Sequence, residues 1–220
     1  MNNFDLIIFD CDGVLVDSER IANEAFANLL NDEFGFSLSL DDMFEIFVGH
    51  SSRQCIEIIE GMLGKKPPGD LEERYKNEIN LALNSSVTRV NGIGKAISDI
   101  TIPYCVASGG SHEKMKITLG KTNLFQFFEN KLYSTSDVSR EKPFPDIYLH
   151  AAQSMGASDP SKCLVIEDSP IGVKGGVSAG MTVFGFSELT DAKKLLDAGA
   201  HHIFDRMEFL ATEIDNFSHE

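Results

Sequence analysis

The sequence predicts an α/β protein: a doubly wound, Rossmann-like parallel sheet with an inserted α-helical domain. Three observations predict it. Short apolar runs recur along the chain, helix-like segments separate the later runs, and a long helical stretch without a strand follows the first run.

The strand-like runs are Leu6-Ile7-Ile8-Phe9, Tyr104-Cys105-Val106-Ala107, Cys163-Leu164-Val165-Ile166 and Met181-Thr182-Val183-Phe184. Each is continuous rather than alternating, as expected of strands covered on both faces. Residues 113–119, 146–155 and 170–179 carry helical patterns. From residue 18 to about 83, helical spacing recurs in Ile21, Ala25, Leu29 and Leu30 and again in Ile56, Ile59 and Leu63. Asp17 is placed to cap the first of these helices. Pro67-Pro68-Gly69-Asp70 breaks the block and residues 71–83 resume it. This block is too long for an ordinary crossover, and Asn91-Gly92-Ile93-Gly94 returns the chain to the core. The expected domains are residues 1–16 with 89–220 as the α/β core and 17–88 as the helical insertion.

Composition narrows the function classes. With 220 residues, 42% hydrophobic and 24% charged, the chain is an ordinary globular protein that needs no disulfide or structural metal to fold. Its net charge is −15, from 34 acidic and 19 basic side chains. Such a surface repels nucleic acid and anionic membranes, and a small anionic ligand would need local positive charge. Cys11, Cys55, Cys105 and Cys163 form no C-x-x-C pair and read as buried thiols of a reducing cytoplasm. The start of the chain shows no basic segment leading into an apolar one, so no signal peptide is expected. No apolar run approaches the roughly 18 residues that span a bilayer. The expectation is a cytoplasmic monomer or small homo-oligomer.

What ends each strand carries the chemistry. The first run closes in Asp10-Cys11-Asp12-Gly13, the second in Ser108-Gly109-Gly110, the third in Glu167-Asp168-Ser169. In an open α/β sheet, ligands bind beyond the carboxyl ends of the strands. Asp10 and Asp12 can divide the work of nucleophile and general acid/base. Gly13 permits a sharp turn that aims amides at a phosphate, although Asp-x-Asp-Gly alone also suits a plain turn. A calcium loop fails, because Val14-Leu15-Val16 follows where ligands are needed. Ser108 can bond a phosphoryl oxygen, with amides of Gly109 and Gly110 exposed where a helix begins at about Ser111; a simple N-cap turn is the other reading.

Lys142, in Glu141-Lys142-Pro143-Phe144-Pro145-Asp146, is held by two prolines and can neutralise phosphoryl charge, or it is a solvated lysine before a helix. Glu167 and Asp168 offer hard oxygens that suit Mg²⁺, or they are a charge pair at the helix start marked by Pro170. Ionised Asp10, Glu167 and Asp168, with Asp12 protonated, are balanced by Lys142 and one Mg²⁺.

With the four motifs in order, the chain resembles the haloacid dehalogenase (HAD) superfamily. Asp10-Cys11-Asp12-Gly13-Val14, Ser108, Lys142 and Glu167-Asp168 match its four signatures, and the helical insertion looks like the cap of its β-phosphoglucomutase-like branch. The resemblance implies Asp10 as nucleophile, Asp12 as general acid/base, and Ser108, Gly109 and Lys142 around the phosphate. It also implies Mg²⁺ on Asp10, the Asp12 backbone carbonyl and Asp168, with Glu167 a further candidate ligand. Lys114-Met115, Leu119-Gly120-Lys121-Thr122-Asn123-Leu124 and His150-Ala151-Ala152 look like members acting on sugar phosphates such as 6-phosphogluconate.

Two departures stand out. Ala22 occupies the place where mutases of this branch carry a histidine, which favours a phosphatase. Gly109 stands where relatives often have a polar residue, leaving backbone donors only. Within the insertion, Gly49-His50-Ser51-Ser52-Arg53 is the candidate specificity loop, with His50 and Arg53 either substrate contacts or solvated residues at a helix start. His201 and His202 are expected beside a last strand rather than on a metal. The leading function is a Mg²⁺-dependent phosphatase of small phosphorylated metabolites. A phosphomutase and a non-catalytic phosphometabolite-binding protein are the alternatives.

Overall fold

The computed structural model describes residues 4–47 and 52–217. The chain divides into two compact units, Met1–Asp17 with Thr88–Glu220, and Ser18–Val87. In chain order the elements begin with β1 (Leu6–Phe9), then α1 (Ser18–Phe34), α2 (Leu40–Ile46), α3 (Ser52–Leu63) and α4 (Leu71–Ser86). Next come α5 (Ile93–Asp99), β2 (Tyr104–Ser108), α6 (His112–Lys121), α7 (Phe125–Phe128), β3 (Leu132–Ser134) and α8 (Asp146–Ser154). The chain continues through β4 (Cys163–Glu167), α9 (Pro170–Ser178), β5 (Thr182–Phe186), α10 (Ala192–Asp197), β6 (His202–Phe204) and α11 (Leu210–Phe217).

The first unit is a parallel sheet of six strands in the order β3-β2-β1-β4-β5-β6. Its inner strands β1, β2 and β4 are apolar, the latter two until their last residues, because both faces are covered. Leu6 and Ile8 of β1, Cys105 and Ala107 of β2, and Cys163 and Val165 of β4 form one buried cluster. Ile147, Tyr148 and Ala151 of α8 and Leu195 of α10 complete it. Side chains alternate along a strand, so Phe9 points the other way, its ring 6.2 Å from both Tyr104 and Phe128. All four expected strands are present. β3 and β6 were not resolved as runs in the sequence: each has three residues and only its last is fully buried.

Register brings the motifs together. Phe9 is level with Val106 on one side and Ile166 on the other. Asp10 therefore leaves the sheet between the ends of β2 and β4. From β1 the order runs one way to β2 and the other way to β4, the switch point at which α/β sheets bind ligands.

The second unit is helical. Phe26, Ala27 and Leu30 of α1 bury against Met43, Phe47, Cys55, Ile59 and Leu71. The Phe26 ring lies 5.2 Å from Phe47 and 4.1 Å from Tyr75. Ser39 opens α2 with a reciprocal cap: its hydroxyl accepts from the Asp42 N–H at 3.2 Å, and its own N–H donates to Asp42 at 2.8 Å. The expected stripe of α1 differs in detail. Leu30 is fully buried, whereas Ile21, Ala25 and Leu29 line a cleft of about 610 Å³ with Leu81 and Ala82 of α4. All four cysteines are buried and free. Among the described residues, no helix is long and apolar enough to cross a membrane.

Candidate active site

β1 sets the first two acids. The Asp10 N–H still donates to Ile166 at 2.9 Å, so the backbone remains tied to β4 as Asp10 leaves the strand. Gly13 has φ +79°, and its N–H closes the turn on the Val16 carbonyl at 2.8 Å. A Cβ at Gly13 would fall 2.0 Å from an Asp168 oxygen. Glycine is therefore needed twice over: for the left-handed backbone, and to let the Asp168 carboxylate lie against this turn.

Lys142 is the hub. Its Nζ donates to Asp10 Oδ1 at 2.6 Å, to Glu167 Oε1 at 2.7 Å and to the Ala107 carbonyl at 3.2 Å. The segments that follow β1 and β3 and the last residue of β4 thus meet at one ammonium group. Its side chain is 10% exposed, so these charges face each other with little water between them. Burial alone would lower the Lys142 pKa, but Asp10 and Glu167 outweigh it and hold the ammonium well above its ordinary value. Asp10 is pushed up to about 7, chiefly by burial, with Lys142 opposing and Glu167 and Asp12 adding to the rise.

Glu167 is fully buried, and both of its oxygens are engaged. Oε1 accepts from Lys142 and, at 2.8 Å, from the Tyr148 hydroxyl; Oε2 accepts from the Ser169 N–H at 3.0 Å and its hydroxyl at 2.9 Å. Burial pushes its pKa up, but Lys142 and these donors more than reverse that, leaving it below its ordinary value. A Cβ at Gly172 in α9 would fall 1.8 Å from Oε1. The helix can pass over this carboxylate only because glycine stands there. The expectation of Glu167 as a metal ligand therefore meets a side chain already saturated with donors.

The β2 end carries Ser108, which is buried and accepts the Gly110 N–H at 2.9 Å. Ser111 caps α6 by accepting from Lys114 N–H at 3.2 Å. The side chain of Lys114 then reaches back to Asp12 Oδ2 at 2.8 Å. Lys114 and Tyr148 are site residues that the sequence reading did not assign. Lys114 sits in the first turn of a helix whose start already pointed to the site, which was the available signal. Tyr148 lies on the buried face of α8 beside Ile147, and nothing in its sequence context marks its hydroxyl.

Asp10 and Glu167 pair with the Lys142 ammonium and Asp12 with that of Lys114, while the fourth carboxylate, Asp168, lies against the Gly13 turn. When all are ionised the formal charge is −2, which one divalent cation would balance. With Asp12 protonated and Lys114 left aside, the charges call for the same ion. Among the described residues no three His, Cys, Asp or Glu side chains converge as a metal cage. Mg²⁺ asks for only one or two carboxylates and keeps several waters.

His50 lies outside the described residues. Arg53 falls within α3, but its side chain is also outside them. Ala22 lies in α1, partly buried. His201 accepts the Val183 N–H on Nδ1 at 3.0 Å, and His202, the first residue of β6, pairs with Glu213 at 2.8 Å.

Comparison with known proteins gives a consistent picture. A family model described as haloacid dehalogenase-like hydrolase matches residues 7–186. The 6-phosphogluconate phosphatase of Escherichia coli is 35% identical over 189 residues, 84% of each chain. A conserved haloacid dehalogenase-like protein of unknown function from Agrobacterium tumefaciens superposes with a TM-score of 0.92 at 36% identity, covering 98% of this chain and 99% of its own. A HAD family hydrolase from Deinococcus radiodurans, with bound phosphate and sodium, gives 0.88 at 27% identity over 99% and 98%.

Proposed function

The chain belongs to the haloacid dehalogenase-like hydrolases and is a phosphatase, and from that premise we propose that it hydrolyses small sugar phosphates through an aspartyl phosphate on Asp10. The observation that carries this reading is the seating of Lys142 Nζ between Asp10 and Glu167, at 2.6 and 2.7 Å. A buried carboxylate fixed by one cation, with a second carboxylate two residues on, suits covalent phosphoryl transfer better than mere phosphate binding.

Asp10 attacks phosphorus as the bond to the sugar oxygen breaks, and Asp12 supplies that oxygen with a proton. Asp12 then takes a proton from water, the water oxygen bonds to phosphorus, and the Asp10–phosphorus bond breaks to free inorganic phosphate. Ser108, the Gly109 amide and Lys142 meet the phosphoryl oxygens where charge is spread. Lys114 orients Asp12 from the other side of the turn. Mg²⁺ would be held by Asp10, Asp168 and the Asp12 backbone carbonyl. When bound, it offsets the charge of the buried carboxylates and of the phosphoryl group. We assign Glu167 to holding Lys142 in place.

The name of the Escherichia coli relative makes 6-phosphogluconate the first substrate to test. We assign the reading of the leaving group to the helical unit, Ser18–Val87, with His50 and Arg53 as candidate contacts. A net charge of −15 disfavours nucleic acid and membrane partners, and four buried free thiols suit the cytoplasm. A monomer or small homo-oligomer suffices.

The test compares wild type with Asp10→Ala on p-nitrophenyl phosphate and a metabolite panel, with Mg²⁺ or with excess EDTA. Wild type should release phosphate only with the metal, and the variant should lose about 10⁴-fold or more. Equal rates from the two proteins would reject Asp10 as nucleophile, and full activity in EDTA would remove the metal. Phosphate release without any bisphosphate activator separates hydrolysis from a phosphomutase.

A further inference from the structure

We infer that the segment following β3 positions the phosphate-binding loop: Ser134 and Thr135 grip the Gly109–Gly110 backbone so that the Gly110 N–H engages Ser108 and leaves the Ser108 hydroxyl to face the phosphoryl group. This inference rests on the phosphatase reading above and adds two positioning residues to it.

Ser108 and Ser134 are level in the parallel pair β2–β3. Beyond them the chain leaves β2 as the loop Gly109-Gly110-Ser111 and leaves β3 as a single turn over Thr135–Asp137. Thr135 Oγ1 donates to the Gly109 carbonyl at 3.0 Å, and Ser134 Oγ donates to the Gly110 carbonyl at 2.8 Å. Both donors are buried, at 8% and 1% exposure, so water competes little for these bonds.

The grip is itself braced. Ser134 Oγ accepts from the Ser136 N–H at 3.1 Å, and the Ser134 N–H donates to Asp137 Oδ2 at 2.9 Å. Asp137 also pairs with His112, the first residue of α6, at 2.8 Å. The loop and the helix it enters are therefore both tied to the turn after β3.

Peptide geometry gives the grip its purpose. In a planar trans peptide the carbonyl and the N–H point in opposite directions. Holding the Gly109 carbonyl on the β3 side turns the Gly110 N–H the other way, where it reaches Ser108 Oγ at 2.9 Å. Because that oxygen accepts a bond, the Ser108 hydroxyl proton is left to donate outward, as a phosphoryl acceptor requires. Two successive glycines have no side chains with which to fix their own dihedrals. The neighbouring strand end supplies the missing restraint.

The experiment uses Thr135→Val, which removes the hydroxyl and keeps the size, beside Thr135→Ser, which restores it. The readouts are kcat/KM for p-nitrophenyl phosphate and for an alkyl phosphate, and the inhibition constant of inorganic phosphate. Thr135→Val should lower kcat/KM about tenfold, equally for both leaving groups, and weaken phosphate inhibition by about the same factor. Thr135→Ser should return both to within about twofold of wild type. A hydroxyl that only supports the fold would lower the melting temperature without moving the phosphate constant. Should Thr135→Val unfold, Ser134→Ala makes the same comparison through the Gly110 carbonyl. A folded variant within about twofold of wild type in both readouts, or a serine variant as impaired as the valine one, overturns the inference. Asp10→Ala is run alongside. If it matches wild type the phosphatase reading fails, and if it is inactive while Thr135→Val is unaffected only the positioning role fails.

Discussion

The strand-end site of the α/β unit and the core of the helical unit are both buried, but from opposite materials. In the first, Asp10, Lys142 and Glu167 sit at 10% side-chain exposure or less and are held by one another. In the second, Phe26, Leu30, Met43 and Ile59 are packed together, and charge is kept to outer pairs such as Arg74 with Glu33 and Lys76 with Glu72. Burying a charge is tolerable only when its partner is buried with it, so each member of the first set depends on the others. Apolar packing has no such all-or-none character, and its losses scale with the volume removed. The difference teaches where each kind of damage should appear: in chemistry and stability together in one unit, in stability alone in the other.

The strongest way to break that contrast is Lys142→Met. It strands two carboxylates and should cost about 3–5 kcal/mol of stability by urea titration. Phosphate release should also fall about 10³-fold. A loss of stability with normal turnover would show that the hub is structural. Leu30→Ala in the helical unit comes next, with an expected loss of about 2–5 kcal/mol on the same titration. Its turnover of p-nitrophenyl phosphate should fall only with the fraction unfolded; a deeper fall would dissolve the distinction between the units. The smallest and sharpest effect is expected of Glu167→Gln, which keeps the shape of the side chain and removes its charge. We expect about a tenfold fall in kcat/KM with the half-saturating Mg²⁺ concentration changed by no more than about threefold. A large shift in that concentration would return Glu167 to the metal.

Much of the site was legible because its residues sit where strands end, and apolar runs mark strand ends clearly. Asp10, Ser108, Glu167 and Asp168 follow runs that the sequence shows plainly, and Lys142 is followed by two prolines. Lys114, Ser134 and Thr135 were not legible, because their roles depend on which segments become neighbours. β3, with the sequence Leu-Tyr-Ser, is too short and too polar to announce itself, and its pairing with β2 is set only by the assembled sheet. Helical periodicity had a different limit. α1 carries Ile21, Ala22, Ala25, Phe26, Ala27, Leu29 and Leu30, so apolar residues cover more than one face. Spacing identifies the helix, but its packing partners choose the face that is buried.

The placement of β1 has a consequence for how the molecule is made. This strand is translated well before its two hydrogen-bonded neighbours, which begin at Tyr104 and Cys163. At typical synthesis rates of about 5–20 residues per second, roughly 8 to 30 s separate its appearance from that of the later neighbour. Until β2 is made this apolar segment has two bare edges, and until β4 is made it keeps one, open to pairing with other chains. Substitutions in β1 should therefore affect the yield of soluble protein from the ribosome more than the resilience of molecules already folded.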